Sequence, residues 1–199
     1  PFKLFFLEGD VMEFAGFETL LDDLVTEGDL DFPYLVYRRF LKRLETRSGW
    51  ARADARGPHD WAKEERLIVD ADATVWAKGD EEARERWRVR IKHEILSLIV
   101  DGTAEEEARK RIERRYHAVA REWHQFSDMD LVEMFLNALT GGFDPHTSYL
   151  SPSALEDFEI GLELSLEGIG AVLTSEDGVC EIREIIPGGA ADLAGRLKP

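Results

Sequence analysis

Through the first three quarters of the chain, apolar positions recur every three to four residues. Phe5, Phe6, Val11, Phe14, Phe17, Leu20, Leu21 and Leu24 keep this spacing, which predicts a helix or a broken pair of helices over about residues 3–27. Asp31 and Pro33 open a second helix with Tyr34, Val36, Tyr37, Phe40, Leu41 and Leu44 turned inward. Residues 48–60 contain "SGW" and "RGPHD" without a clear period, so they read as a surface loop. Asp80 suits the N-cap of a helix carrying Ala83, Trp87, Ile91, Ile95, Leu98 and Ile99 on one face and ending at Asp101-Gly102. Thr103 and Glu106 offer a capping box for the next helix, which continues to about Phe126. A further helix over about residues 128–140 follows Ser127 as its cap, and Gly141-Gly142 can end it at positive φ.

From Leu162 the chain becomes glycine-rich, and apolar positions alternate with polar ones. "GAVLTS" and "VCEIREII" read as two strands joined by a Glu176-Asp177-Gly178 turn, and "GGAADLAG" starts a short helix. The expected fold is a mainly α N-terminal helical domain, residues 1–160, followed by a β-rich domain over residues 161–199. Two strands and a short helix cannot close a hydrophobic core, because an isolated hairpin is marginal in water. The second domain therefore reads as incomplete, and the chain as part of a longer one.

Composition narrows the partners. A chain of 199 residues with 44% hydrophobic content is long enough and apolar enough to fold around a core. Its 41 acidic side chains outnumber 25 basic ones, giving a formal charge of -16 that repels a phosphate backbone. Nucleic acid is excluded as an expected partner. The single cysteine, Cys180, rules out an internal disulfide and a cysteine-based zinc site. No apolar run approaches the roughly 20 residues that span a bilayer, and no basic segment followed by an apolar core and a small-residue cleavage site stands at the start.

Three groups of residues invite a chemical reading. Asp144, His146 and Ser148 are the parts of a hydrolase triad. Alternate positions in a short loop rarely make the required chain of oriented hydrogen bonds, and Asp144-Pro145 reads instead as a turn. Ser151 with Pro152 reads as the start of another helix, with Ser153 and Glu156 as a capping box one register on. Arg109, Lys110, Arg111, Arg114 and Arg115 form a basic run, yet Glu105, Glu106 and Glu107 precede the first three by four residues, the order that favours intrahelical pairs. A self-neutralised face is the better reading. His117 and His124 share a helical face, but no carboxylate lies at i+3 or i+4 from either one on that face to complete a metal site.

"FDPHTSYLSP", then "LSLEGIGAVL", then "IIPGGAADLAGRLKP" form an ordered combination that resembles the carboxy-terminal processing peptidases. "KLFFLEGDVMEF", "WAKGDEEARERWRVRIKHEIL" and "RRYHAVAREW" resemble the helical N-terminal region of the tail-specific protease branch, and residues from about 162 resemble the first part of its PDZ domain. The resemblance implies a serine endopeptidase that senses the C-terminal tails of protein substrates through the PDZ domain and cleaves with a Ser/Lys dyad. In that family the dyad lies far downstream of the PDZ domain. No catalytic residue is therefore assigned here, and neither a metal nor a cofactor is expected.

The implied substrate site is "EGIGA", where Gly168, Ile169, Gly170 and Ala171 would hold the terminal carboxylate on backbone N–H groups. Ile169 would line the pocket for the last side chain, and Val172 and Leu173 would continue the strand that the peptide joins. The alternative is an ordinary turn leading into a strand, with Ile169 packed in a core. The resemblance also implies a periplasmic or cell-envelope location, and an adaptor protein or self-association through the helical domain. A non-catalytic, PDZ-containing module that binds peptide tails stands as the alternative function. A serine and a lysine downstream in a protease-domain context would decide between them.

Overall fold

The structure is a computed structural model that describes residues 2–70, 72–163, 168–176 and 179–198. A 3-10 turn (Phe2–Leu4) leads into α1 (Glu8–Ala15), α2 (Leu21–Glu27), α3 (Asp31–Arg56), α4 (Asp80–Val100), α5 (Glu105–His124), α6 (Asp128–Phe143) and α7 (Pro152–Glu163). Then follow β1 (Ala171–Glu176), β2 (Val179–Ile185) and α8 (Ala190–Ala194). The order of elements is the expected one, a long helical region and then a small β region. Contacts group the chain into two compact units that divide between Phe126 and Ser127. The change of hydrophobic period near residue 160 falls inside the second unit.

In the first unit α3, α4 and α5 pack against one another in all three pairs. Trp87, Ile91 and Ile95 of α4 meet Ala108, Ile112 and Tyr116 of α5 and Ala51 and Ala55 of α3, all buried. The small residues of α3 correct the expectation of a loop over residues 48–60. The helix runs on through "SGW" to Arg56, and the non-helical connection begins at Gly57. Ser48, Ala51 and Ala55 continue the inward stripe of Phe40 and Leu44 at helical spacing, but with side chains short enough for close approach to α4 and α5. Trp50 of the same stretch packs against the cluster while partly buried, and Arg47 is fully buried.

A second cluster forms where Phe6, Phe40 and Leu44 pack with Phe14, Tyr37 and Trp123. Phe5 joins the two clusters, edge-on to Phe40 at 5.3 Å and to Trp87 at 5.5 Å. The N-terminal segment is also fastened through its backbone: the Trp87 indole donates to the Leu4 carbonyl at 2.9 Å, and Glu8 N–H donates to the Ala77 carbonyl at 2.9 Å. The 57–79 connection is fixed midway by Glu65, which takes ion pairs from Arg88, from buried Lys92 at 2.8 Å and from Lys63 at 3.0 Å. These cations, Arg88 first, hold the Glu65 carboxyl well below its ordinary range.

Several helix ends differ from the sequence reading. Gly79 takes the cap position before α4, and the Asp80 carboxylate instead reaches α3, accepting from Arg47 at 3.0 Å and Arg43 at 3.3 Å. Two arginines facing the start of α4 compete better for that carboxylate than its own backbone does. Ala104 takes the cap position of α5 without a side-chain bond, so the Thr103–Glu106 capping box does not form. The expected pairs Glu105–Arg109, at 2.7 Å, and Glu106–Lys110, at 3.5 Å, are present, while Glu107 pairs with Arg114 at 2.8 Å. Helix α6 runs through Gly141 and Gly142 to Phe143 with no positive φ at either glycine, and Asp144 caps it.

In the second unit Ser127 caps α6 as expected, with Asp130 answering: Asp130 N–H donates to Ser127 Oγ at 3.2 Å and Ser127 N–H to Asp130 Oδ2 at 2.8 Å. Ser151 is buried and its Oγ accepts from Ala154 N–H at 3.3 Å, so the start of α7 at Pro152 follows the Ser-Pro reading. Strands β1 and β2 pair antiparallel, with a bulge where Val172 faces Glu184 and Leu173 faces Ile182. Asp177-Gly178 of the expected turn lies outside the described residues. Ile169, Val172, Leu173 and Ile186 all keep 40% or more of their surface exposed, as expected of a sheet whose apolar positions lack covering partners in the described residues.

Candidate functional site

The triad reading fails on geometry. Asp144 spends its carboxylate within its own turn, accepting from His146 backbone N–H at 3.1 Å and from the Thr147 hydroxyl at 2.6 Å, and these bonds hold its carboxyl below the ordinary value. Asn137 clamps the rest of the loop to α6, donating to the Tyr149 carbonyl at 3.0 Å and accepting from Tyr149 N–H at 2.7 Å. Among the described residues, no group of three or more His, Cys, Asp or Glu side chains is placed to hold a metal ion. His124 lies 3.2 Å from Glu45 across the bundle. A groove of about 410 Å³ beside α4 is lined by Leu4, Leu67, Ile68 and Val89, and its carboxylates Glu65 and Glu85 are already paired with Arg88.

The loop before β1 has a more specific geometry. Of its expected members, Glu167 lies outside the described residues, and Gly168, Ile169, Gly170 and Ala171 lie within them. Ile169 C=O accepts from Ala191 N–H at 2.8 Å, and Gly170 C=O accepts from Ile186 N–H at 2.9 Å. Both carbonyls thus face the segment that leaves β2 and enters α8. In a trans peptide the N–H points opposite to the C=O, and the described residues have no cis bonds. The N–H groups of Gly170 and Ala171 are accordingly directed away from that segment.

The strand register extends this pattern. The bond from Ile186 to Gly170 makes Ala171 and Ile185 a non-hydrogen-bonded pair, so Ala171 presents its polar backbone groups to the edge of β1 opposite β2. That edge carries no further strand among the described residues. Gly170 has φ of +73°, a conformation that disfavours a side chain. Ile169 is 54% exposed beside the loop. The sequence reading takes "IPGGAA" as part of the family resemblance and as the start of a helix, and misses it as the other half of this arrangement. Two adjacent glycines ahead of that helix were the available signal.

Residues 1–153 match the family described as "Tail specific protease N-terminal domain". The chain belongs to the tail-specific protease family. It is also similar to a tail-specific protease of Haemophilus influenzae, with 31% identity over 195 residues. That alignment covers 98% of this chain and 28% of the relative, so the chain spans just over a quarter of the length of the curated tail-specific protease it matches. The helical bundle built on α3, α4 and α5 thus lies within the family's N-terminal domain, and the loop at Gly168–Ala171 follows that domain in sequence. Among the described residues, no helix is long and apolar enough to cross a membrane.

Proposed function

We propose that this chain is the N-terminal, non-catalytic portion of a serine endopeptidase that recognises and cleaves proteins by their C-terminal tails. Residues from about 161 form the first part of a PDZ domain, and the Ser/Lys dyad stands beyond the 199 residues. The observation that carries the reading is the pair of amides at Gly170 and Ala171, directed away from the α8 side and adjoining the open edge of β1. A tail can add to that edge as a strand while the two amides take its terminal carboxylate. The protein acts in the periplasm or cell envelope, and the helical domain serves as the surface for an adaptor or for self-association.

Two measurements test this. In the intact protein, a peptide ending in apolar residues with a free carboxylate is expected to bind more tightly than its amidated twin by about 1.5–3 kcal/mol, the worth of a charge-assisted hydrogen bond. Gly170→Val should erase the difference, because a side chain there is strained at φ of +73° and meets Gly189 Cα at 2.9 Å. Equal binding of free and amidated peptides by the wild type would remove the carboxylate role from Gly168, Ile169, Gly170 and Ala171. The 199-residue chain by itself is expected to show no turnover of a tail-bearing substrate in a cleavage assay. Measurable cleavage would place catalytic groups inside it and overturn the division of labour.

A further inference from the structure

We propose that Gly189 is a positioning residue for tail recognition: its bare Cα is the surface on which Gly170 rests, and this contact sets the direction of the carboxylate-binding amides. The proposal rests on the tail-binding reading of the Gly168–Ala171 loop and adds a residue outside that loop. A Cβ on Gly189 would stand 3.0 Å from Gly170 Cα and 3.0 Å from the Ile186 carbonyl oxygen, and a Cβ on Gly170 would stand 2.9 Å from Gly189 Cα. The two glycines exclude side chains from each other reciprocally, and every atom met is backbone, which cannot swing aside. Gly189 is not among the positive-φ glycines, so its own conformation does not call for glycine. Space does.

Two hydrogen bonds flank this contact. Ile186 N–H holds Gly170 C=O and Ala191 N–H holds Ile169 C=O, so the segment from 186 to 191 grips the loop on both sides of Gly189. Moving the segments apart by a methyl group would loosen both bonds and free the two peptide planes to rotate, turning the Gly170 and Ala171 amides off their common target. The turn carrying Gly189 is itself pinned, because Gly188 N–H donates to Asp192 Oδ2 at 2.8 Å.

The test compares free-acid and amidated tail peptides on the intact protein, with the ratio of their dissociation constants as the readout. A change in overall fold alters both peptides together, whereas misdirected amides lower the binding of the free acid alone. Gly189→Ala is expected to reduce the free-acid preference by about tenfold, the equivalent of losing one charge-assisted bond, with amidated-peptide binding retained. Asp192→Ala removes the pin on Gly188 without adding an atom, and should reduce the preference by a smaller factor. It decides the matter if Gly189→Ala does not fold. An unchanged ratio in the folded variants overturns the positioning role and leaves the tail-binding reading standing. No preference in the wild type would defeat both.

Discussion

Trp87→Ala is expected to destabilise the helical unit by about 3–5 kcal/mol, read from its urea unfolding transition. Trp87 is 2% exposed, sits edge-on to Phe5 at 5.5 Å and to Tyr116 at 5.4 Å, and donates its indole N–H to Leu4. Truncation removes a large buried ring from between three helices and the N-terminal segment at once, and it leaves the Leu4 carbonyl without that donor. The surrounding Ile91, Ile95 and Ile112 are fully buried and have little freedom to collapse into the space. Leu193→Ala, at a residue 80% exposed, should change stability by no more than about 0.5 kcal/mol. A Trp87→Ala loss no larger than that control would show that the aromatic contacts do not organise the core.

The second large effect belongs to Asp10. This residue is 2% exposed, and its carboxylate accepts from Leu7 N–H at 2.9 Å, from Arg43 at 2.9 and 3.0 Å, and from Arg39. Burial works against the charged form. The bonds from Arg43, Leu7 and Arg39 outweigh it, so the carboxyl is held below its ordinary value. Asp10→Ala is expected to cost about 3 kcal/mol, the low end for breaking a buried pair, because Arg39 and Arg43 keep some access to water. A group with a depressed pKa in the folded state contributes fully above its unfolded value, about 3.9 for aspartate, and its contribution fades as pH falls through the lower folded value. The stability difference between wild type and Asp10→Ala should therefore be constant near neutrality and shrink below about pH 4. A difference that grows on acidification would contradict the assignment.

Much of the helical unit is legible in the residues themselves, since Phe40, Leu44, Ala83, Trp87, Ile91 and Ile95 repeat at helical spacing and are the side chains the core buries. What escaped is instructive. The second half of α3 is hidden because its buried positions are Arg47, Ser48, Ala51 and Ala55, which a reading keyed to large apolar residues passes over. Asp80 has the chemistry of a cap and serves as an ion-pair partner, a choice settled by arginines more than thirty residues away. Asp10 looks like an ordinary residue of an acidic first turn, and only the approach of α3 makes it a buried anchor. At the loop, resemblance pointed to Gly168–Ala171, and the positive φ of Gly170 accords with its glycine. The opposing Gly189 could not be found from the loop alone, since the need for glycine there arises from a neighbour close in space.

The fastening of the N-terminal segment bears on how the helical unit is assembled in time. Trp87 reaches Leu4 across 83 residues, Tyr37 reaches Trp123 across 86, and Leu7 bridges Ala77. Such contacts close long loops, and the entropy of closure must be met before the contacts return any stability. By comparison α4 and α5 are joined by a short turn and can pair early. The chain is set to fold from α4 and α5 outward, with the segment ahead of α1 docking late onto a surface the other helices have already made.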